Sequence, residues 1–584
     1  MSNYTTATAM LEALASAGVS HLFVNLGSDH PAIVEAVSKW QLDNRQGLRF
    51  LTAPNEFVGL SAAQGFFQVS GQMQAMLVHV DAGTLAMAGA IHNVSRARIP
   101  VIMMAGTSPI TEEGEMRGTR NEFIHYIQDN GSQRNIVKGY SVYDHEIRTG
   151  KNAKQIILRA AQFAKSEPQG PAYLVASREA LEEEIEPYEV NAKKWTPIAS
   201  SALSPSSVKE LGAALLAAEN PVVITTYLGR DKAAVHELIK LCESLGIAVI
   251  EALPAHMNFP HTHPLYQGSQ WSEGLKESPL DTADVVLVID CDVPWIKSVF
   301  RPAASAKIYH IDCDPLKVNM SLFHIDTELS CQANARTALE QLNEFISGAL
   351  TAEKNTTVSA RTQKLSERHD EYIAQINKLA IVPTNDEVIT PHYALSVLRS
   401  VLDDSCIVLS EGISNFRPIA DVLMRTQPGS YFTSGGTALG WHGGAAIGAK
   451  LASPSSTIVA VTGDGSFLFS LPANVHWMAR KYNAPFLTVI LNNRGWKSPM
   501  LSAITVHKNG HSSKVTADQL NVTFDPSCDH SQVAVSAGAG FGVCVEKASE
   551  IEGALKKALE VVRGGRAAVV DIRLPKFEVG DRVG

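Results

Sequence analysis

Two side chains that could bind a metal ion through oxygen follow predicted buried strands in the last quarter of the chain. Asp464 comes directly after the apolar, β-branched segment 457–462, and Asn493 comes just after a second such segment, 486–491. The intervening residues 471–482 predict a helix, so the two strands run parallel and both side chains lie at one carboxyl edge of the sheet. A carboxylate and an amide oxygen there suit Mg²⁺, which usually also takes oxygens from a bound phosphate.

The residues around Asp464 form a pattern more specific than a turn. A lone Gly-Asp-Gly is typical of a turn without a ligand, although its glycines let a backbone approach phosphates closely. Here the Gly-Asp-Gly segment is followed downstream by an Asn-Asn pair, which resembles the diphosphate-and-metal signature of thiamine diphosphate (ThDP) enzymes. The resemblance implies that the diphosphate lies against Gly463, Asp464, Gly465 and Ser466, and that Mg²⁺ is bound by Asp464, Asn493 and the backbone carbonyl of Gly495.

Composition places further limits on the function. The chain has 584 residues, a formal net charge of −9 and seven cysteines without a Cys-x-x-Cys pair. The charge argues against general nucleic-acid binding, and the dispersed, odd-numbered cysteines favour a reducing compartment, so we expect a cytoplasmic protein. No basic and apolar signal segment opens the chain, and the uncharged run 427–449 contains seven glycines, so we expect neither secretion nor a membrane span.

Helix-like and strand-like segments alternate in three blocks, which predicts three α/β domains built on doubly wound parallel sheets. The first block covers residues 1–190, the second 208–345 and the third 386–575. A polar segment with prolines and serines separates the first two blocks and predicts a linker. Residues 350–385 are polar, charged and helix-prone, and predict a connector that crosses the surface.

This arrangement resembles the pyruvate decarboxylase-like branch of ThDP enzymes, which includes acetolactate synthase, benzoylformate decarboxylase and the 2-hydroxyacyl-CoA lyases. The resemblance covers nearly the whole chain. It implies a pyrimidine-binding domain, a middle domain and a pyrophosphate-binding domain in that order. It also implies a homodimer or homotetramer, because in this family the first domain of one subunit and the third domain of its partner hold one cofactor together.

Glu56 is the strongest catalytic candidate. It follows a predicted strand and opens an apolar helix, where an acidic residue can simply stabilise the helix dipole. In the related enzymes a glutamate at this place hydrogen-bonds the aminopyrimidine ring of ThDP and promotes the imino tautomer that removes the C2 proton. A carboxyl group in an apolar pocket, with raised proton affinity, suits that task.

The glycine-rich run 434–448 resembles the segment of benzoylformate decarboxylase that supports the bent conformation of the cofactor. The resemblance places the supporting aliphatic side chain at Leu439 and the carbonyl that meets the 4′-amino group at Thr437. Upstream, the segment 410–415 also resembles that enzyme. It implies that Ile413 and Ser414 lie near the diphosphate.

Three residues of the first block could act on the substrate. Residues 23–28 resemble the benzoylformate decarboxylase segment whose serine contacts the substrate carboxylate, which implies that role for Ser28. His79, four residues before Gly83-Thr84, matches a histidine that acts in proton transfer, although a lone histidine at a strand end can equally be structural. His30 is a second candidate for proton transfer.

Aromatic residues could limit the size of the substrate. Trp496 follows the predicted metal ligands, and we expect it in the pocket wall, with Trp441 and His442 nearby. Trp295 stands where benzoylformate decarboxylase has its second active-site histidine, which puts aromatic 2-oxo acids in doubt as substrates. The middle block has no glycine-rich fingerprint and no basic cluster, so we do not expect FAD or ADP there.

The resemblance implies ThDP- and Mg²⁺-dependent cleavage or formation of the C–C bond next to a carbonyl. The foremost expectation is decarboxylation of a small 2-oxo acid with carboligation of the remaining fragment to an aldehyde, an acyl-CoA or another carbonyl acceptor, as in acetolactate synthase. The alternatives are a simple 2-oxo acid decarboxylase and a 2-hydroxyacyl-CoA lyase. An inactive paralogue serving as a regulatory subunit is the non-enzyme alternative, which loss of Glu56 or Asp464 would indicate; both residues are present.

Overall fold

Three six-stranded sheets follow one another along the chain. The computed structural model describes residues 4–580, except for the side chains of residues 352 and 353. Within these residues every pair of neighbouring strands in the three sheets is parallel, and helices cover the sheets. The predicted fold class, three doubly wound α/β domains, is confirmed.

The first sheet has the strand order β2-β1-β3-β4-β6-β5. Its strands are β1 (His21–Val24), β2 (Arg49–Thr52), β3 (Gln74–Val78), β4 (Val101–Thr107), β5 (Tyr143–Glu146) and β6 (Pro171–Ser177). The helices of this part of the chain are α1 (Thr6–Ser16), α2 (Pro31–Leu42), α3 (Glu56–Ser70), α4 (Val80–Ala86), α5 (Ala88–Arg96), α6 (Ile124–Ile127), α7 (Ala153–Lys165) and α8 (Arg178–Glu182).

The second sheet has the order β12-β11-β10-β7-β8-β9. Its strands are β7 (Pro221–Thr225), β8 (Ala248–Ala252), β9 (Tyr266–Gln270), β10 (Val285–Ile289), β11 (Lys307–Asp312) and β12 (Leu329–Gln332). The accompanying helices are α9 (Pro205–Ala217), α10 (Lys232–Leu245) and α11 (Ala335–Ser347). The predicted connector is a single long helix, α12 (Ala352–Leu379).

The third sheet has the order β14-β13-β15-β16-β18-β17. Its strands are β13 (Ile407–Glu411), β14 (Tyr431–Thr433), β15 (Ile458–Gly463), β16 (Leu487–Asn492), β17 (Phe541–Val545) and β18 (Ala568–Arg573). Its helices are α13 (Pro391–Val401), α14 (Phe416–Leu423), α15 (Trp441–Ala452), α16 (Asp464–Phe469), α17 (Pro472–Lys481), α18 (Lys497–Val506), α19 (His530–Ala537) and α20 (Ile551–Arg563). No helix among the described residues is both long and apolar enough to cross a membrane.

Each sheet reverses its strand order at one point, between β1 and β3, between β7 and β10, and between β13 and β15. At such a point the connections leave toward opposite sides and open a crevice beyond the carboxyl ends of the strands, where open α/β sheets bind ligands. His79 directly follows β3, Asp290 follows β10, and Asp464 follows β15. A polar side chain therefore stands at the crevice of each sheet.

Helices α3 and α15 join the first and third domains through small residues. A Cβ atom on Gly448 would lie 1.8 Å from the carbonyl oxygen of Ala62, and one on Gly444 would lie 2.5 Å from that of Val58. The backbones of the two helices therefore touch directly. The second half of the uncharged run 427–449 is this buried helix, whose small residues allow the close approach.

Gly448→Ala should lower the stability of the whole protein, because the added methyl group would force α3 and α15 apart. Overpacking of this kind costs about 1–3 kcal/mol, enough to lower the melting temperature measurably. The matched control is Gly553→Ala on the exposed face of α20, where a Cβ atom would meet nothing within 4 Å. In thermal unfolding the control should equal or exceed wild type, since alanine favours a helix more than glycine does. Equal melting temperatures for the two variants would contradict the close packing.

Candidate active site

A cavity of about 1060 Å³ opens at the crevice of the third sheet. Large ligand pockets reach roughly this size. Eleven of the residues predicted from the sequence line it together, namely Ile413, Ser414, Thr437, Leu439, Gly463, Asp464, Gly465, Ser466, Asn493, Gly495 and Trp496. The part of the site predicted for the third domain thus forms one continuous surface.

Asp464, Asn493 and Gly495 bring oxygen atoms together at the end of β15 and β16. One amide position of Asn493 lies 2.8 Å from the carbonyl oxygen of Gly495 and 3.3 Å from Oδ1 of Asp464. With the amide nitrogen at that position, Asn493 donates to both oxygens; with the amide oxygen there, three oxygens converge. Neighbouring ligands of an octahedral Mg²⁺ stand about 2.9 Å apart, given bonds of about 2.0–2.1 Å, so this set fits the ion.

The burial of Asp464 also fits a cationic partner. Its side chain is almost fully buried and Oδ2 has no hydrogen-bond partner. Burial raises the pKa of this carboxyl to about 7, although backbone N–H groups, including that of Gly495, oppose the shift. A cation beside the carboxylate would compensate for the lost hydration.

Glu411 anchors the loop before α15, in which Thr437 and Leu439 are expected to contact the cofactor. The sequence pattern did not single out Glu411. The carboxylate at the end of β13 accepts hydrogen bonds from the backbone N–H groups of Gly440 (2.7 Å), Trp441 (3.1 Å) and His442 (3.0 Å). It also lies 2.6 Å from Nδ1 of His442. An acidic group at the start of α15 satisfies its free N–H groups and its dipole, which fixes the loop just before it.

The same loop is held by the first domain of its own chain. Asn93 on α5 donates to the carbonyl of Ala438 (2.9 Å) and accepts from its N–H (3.1 Å), and the Thr437 hydroxyl lies 3.0 Å from Nε2 of His92. Gln64 on α3 donates to the carbonyl of Ser434 (2.8 Å). The loop that carries Thr437 and Leu439 therefore has a fixed conformation.

Of the four aromatic or imidazole side chains predicted for the pocket wall, only Trp496 lines the cavity among the described residues. It is 37% exposed and packs against Phe469 and Phe524. Trp441 and His442 lie instead in the core, because α15 turns this end toward α3 and β13 and Glu411 binds the imidazole. Trp295 packs in the apolar core of the middle domain.

A second group of polar residues stands at the crevice of the first sheet. Glu56 is the first residue of α3, whose N-cap Asn55 accepts hydrogen bonds from the N–H groups of Phe57 and Val58. The Glu56 side chain is half-buried, and burial raises the pKa of its carboxyl. Its Oε1 lies 3.2 Å from the position that a Cβ on Gly83 would take, so the glycine leaves it room. A carboxyl group with a raised pKa has a higher proton affinity, which suits a role in proton transfer.

His79, at the start of α4, is bound by the buried Asp29. Nδ1 of His79 lies 2.6 Å from Oδ1 of Asp29, whose Oδ2 accepts from the Val80 N–H at 3.2 Å. This hydrogen bond raises the pKa of His79 above its ordinary value. Sequence reasoning found His79 but not Asp29.

Ser28 and His30 have different surroundings. The Ser28 hydroxyl lies 3.2 Å from Nε2 of His125, a buried residue that the sequence did not single out. The Arg178 guanidinium lies 3.1 Å from the same nitrogen, and the Asn121 N–H donates to Nδ1 of His125. His30 is fully buried, and its Nδ1 accepts from the Gly27 N–H at 3.1 Å. His30 thus stabilises the loop before α2 and does not face an open site.

The two groups of residues are separate within one chain. Among the described residues that line the large cavity, neither Glu56 nor His79 is found, nor are Ser28 and His30. The converging oxygens of Asp464, Asn493 and Gly495 and the polar group around Glu56 and His79 therefore lie at two different crevices, each at its own sheet.

The wall that the middle domain contributes to the cavity carries paired charges. Arg98 binds Asp312 (3.0 Å) and Asp292 (2.9 Å), and Lys317 lies 2.9 Å from Asp292 and also binds Asp312. Asp290, Asp312 and Cys313 come close enough together to suggest a metal site, but Arg98 and Lys317 already neutralise Asp312. These cations are occupied by carboxylates and offer little free charge to a nucleotide phosphate.

The fold therefore has one group of polar residues at the crevice of the first sheet and another at the crevice of the third, both at places where open α/β sheets bind ligands. Three protein-family models of thiamine pyrophosphate enzymes match the chain. They are the N-terminal TPP binding domain at residues 4–135, the central domain at 208–342 and the C-terminal TPP binding domain at 413–572. The chain belongs to the thiamine pyrophosphate enzyme family.

The relatives of this chain are named for more than one enzyme activity. A probable acetolactate synthase large subunit of Methanococcus aeolicus is 24% identical over 95% of this chain and 90% of its own length. A benzoylformate decarboxylase of Pseudomonas aeruginosa is 23% identical over 95% and 97%. The structure of a ThDP-dependent 4-hydroxybenzoylformate decarboxylase of Rhodococcus jostii RHA1 superposes with a TM-score of 0.78 at 19% identity, covering 98% of this chain and 100% of that one. The chain is therefore a thiamine pyrophosphate enzyme whose sequence is similar both to an acetolactate synthase and to a benzoylformate decarboxylase.

Proposed function

We propose that this enzyme decarboxylates a small 2-oxo acid with ThDP and Mg²⁺. The observation that carries the proposal is the pair of groups suited to proton transfer at one crevice, Glu56 and His79, which share the carboxyl edge of the first sheet. A decarboxylase needs one group to activate the cofactor and another to return a proton to the carbon that has lost CO₂. Relatives of both decarboxylase and synthase type support this chemistry.

The residues of the third domain suit the cofactor and metal. Asp464, Asn493 and the Gly495 carbonyl would hold Mg²⁺, and the N-terminus of α16 with Gly465 and Ser466 would meet the diphosphate. Ile413, Ser414, Thr437 and Leu439 line the same cavity and would hold the remainder. When bound, ThDP supplies an electron sink for the bond that breaks as CO₂ leaves.

Three residues of the first domain would act on the reactants. Glu56 would hydrogen-bond the aminopyrimidine ring of the cofactor, and the raised pKa of its carboxyl favours the protonated form that can donate this hydrogen bond. Ser28 binds the carboxylate of the 2-oxo acid with its hydroxyl group. His79 delivers one proton from Nε2 to the carbon that CO₂ has left. The 2-oxo acid R–CO–COO⁻ and this proton together yield R–CHO and CO₂.

Carboligation is the second candidate. The large cavity is the observation that favours it, because about 1060 Å³ at the proposed cofactor site leaves space for a second carbonyl compound beside the cofactor. A second carbonyl, rather than a proton from His79, would then meet the reacting carbon. The similarity to acetolactate synthases supports this outcome.

The experiment that tests the proposal is incubation of the purified protein, with ThDP and Mg²⁺, with a panel of aliphatic and aromatic 2-oxo acids. Each acid is tested with and without aldehyde or acyl-CoA acceptors, and CO₂ release and products are measured by mass spectrometry. Aldehyde as the sole product supports the decarboxylase, and a hydroxyketone product supports carboligation. Absence of CO₂ release from every acid would refute both.

We further propose that the active unit is a homodimer or a larger homo-oligomer that unites two half-sites across subunits. Its support is the separation of Glu56 from the cavity around Asp464 within one chain. Mixing inactive Glu56→Gln chains with inactive Asp464→Ala chains under subunit exchange should restore part of the activity, because one site of each mixed dimer has both intact halves. An active monomer in ultracentrifugation, or exchanged mixtures without activity, would exclude the shared site.

A further inference from the structure

Asp29 is buried in a place built for it. Its side chain has no solvent exposure, and a Cβ on Gly106 of β4 would lie 2.0 Å from its Oδ2. A Cβ on Gly27 would lie 2.1 Å from Nδ1 of His79. Both positions require glycine, because any larger residue would displace the carboxylate or the imidazole.

The backbone beside His79 is held in an unfavourable conformation. Val80 has φ of 33°, in the left-handed region that β-branched residues avoid. Its N–H donates to Oδ2 of Asp29. Such strain persists where surrounding structure enforces it, often at active sites. The carboxylate therefore binds both the side chain of His79 and the backbone that follows it.

The proton on His79 has a defined position. Nδ1 lies 2.6 Å from Oδ1 of Asp29, which can only accept, so Nδ1 carries a hydrogen. Nδ1 of His30 also lies 3.1 Å from Oδ1 of Asp29, but it accepts a hydrogen bond from the Gly27 N–H, and burial lowers the pKa of His30. This nitrogen therefore has no hydrogen to donate to Asp29, and Oδ1 accepts from His79. Nε2 of His79 is therefore the atom that gains and loses protons.

We propose that Asp29 is a positioning residue that fixes the Nδ1–H form of His79, favours its charged state and thereby makes Nε2 the proton donor of the decarboxylation. This inference rests on the proposed function for its reaction step, but the state of His79 can be measured without a substrate. No role for Asp29 follows from the sequence motifs.

The charges around His79 determine the sign of the expected pH dependence. Asp29, Asp81 and Glu56 are the acidic groups that face it, and His30 lies behind Asp29. The hydrogen bond and charge of Asp29 raise the pKa of His79, burial opposes this, and Asp81 adds a smaller increase. Asp29→Asn keeps the size and an acceptor oxygen but removes the charge, so the pKa of His79 should fall.

The test follows the modification rate of His79 by diethyl pyrocarbonate, which attacks neutral imidazole, across pH in the holoenzyme, with peptide mass spectrometry to locate the label. The wild-type midpoint should lie above the ordinary histidine value of about 6.5. Asp29→Asn should lower it by about one pH unit or more, since a neighbouring opposite charge shifts a pKa by about 1–3 units. The matched control Asp81→Asn, which removes a charge without removing a hydrogen bond, should shift it much less.

Several outcomes overturn the inference. A wild-type midpoint of His79 modification at or below the ordinary histidine value overturns the inference. This result needs no variant, so it can be obtained even if Asp29→Asn fails to fold. Equal midpoints for wild type and Asp29→Asn, or equal shifts for both variants, overturn it as well. The kinetic readout is the pH profile of kcat, whose alkaline limb should move to lower pH in Asp29→Asn while cofactor C2 exchange, which depends on Glu56, stays unchanged. If the midpoints behave as expected and no 2-oxo acid is decarboxylated, the proposed function fails and the Asp29–His79 pair stands.

Discussion

Glu56→Gln should abolish most of the activity while leaving the fold and metal binding intact. Burial raises the pKa of the Glu56 carboxyl, which favours the protonated form that the proposed proton transfer needs. Glutamine has nearly the same shape but cannot transfer a proton, and losing acid–base assistance of this kind typically costs about 10²–10⁴-fold in rate. The direct measurement is hydrogen–deuterium exchange at C2 of bound ThDP, which should slow by a similar factor.

The control for this variant is Glu35→Gln on the exposed face of α2 in the same domain. It makes the same substitution at an exposed position and should exchange C2 deuterium at the wild-type rate. Far-UV circular dichroism and the affinity for Mg²⁺ and ThDP establish that the Glu56→Gln chain is folded and loaded. If the folded, cofactor-loaded Glu56→Gln variant exchanges C2 deuterium at the wild-type rate, the catalytic role is refuted. Glu56 would then only stabilise the dipole of α3.

Asp464→Ala should eliminate the Mg²⁺-dependent part of ThDP binding. Asp464 supplies the only carboxylate in the converging oxygen set with Asn493 and Gly495, and the remaining groups are neutral. Loss of residues that merely support a metal ligand typically costs about 10–100-fold in affinity, so losing a ligand should cost at least about 100-fold. Isothermal titration calorimetry with ThDP, in the presence and absence of Mg²⁺, measures the effect. Asp404→Ala, an exposed substitution in the same domain, should bind as wild type does.

Stability distinguishes a lost ligand from a lost fold in this variant. Burial raises the pKa of Asp464 from 3.8 to about 7 in the folded chain, so ionising it opposes folding as pH rises from about 4 to 7 and beyond. Without cofactor at pH 8, Asp464→Ala should therefore be at least as stable as wild type in thermal unfolding. A variant that is unstable and also fails to bind would not support the ligand assignment, and one that binds ThDP with unchanged Mg²⁺ dependence would refute it.

The half-site of the third domain could be predicted because its determinants are local in sequence. Asp464 and Asn493 each follow a strongly apolar strand, and consecutive parallel strands bring their ends together whatever the rest of the fold does. Glu56 could be predicted for a similar reason, as the first residue of a helix after a strand. The alternation of apolar segments likewise predicted the three sheets.

The residues that sequence reasoning missed act through partners far along the chain. Asp29 meets His79 only because β1 and β3 are neighbours in the sheet, and Glu411 meets the start of α15 across an intervening strand and helix. The orientations of Trp441 and His442 depend on how α15 packs on α3. A single-sequence pattern does not specify that packing, so their burial could not be read from their types.

The oxygen cluster at Asp464 links the lifetime of this protein to its supply of vitamin-derived cofactor. A ligand that binds only the folded chain adds about 2.7 kcal/mol of stability when its concentration is one hundred times its dissociation constant. A buried carboxyl that resists ionisation on its own makes the unloaded chain correspondingly easier to open. In a cell short of thiamine, newly made copies should therefore be degraded sooner than loaded ones, and the abundance of the enzyme should follow vitamin status without any change in its synthesis.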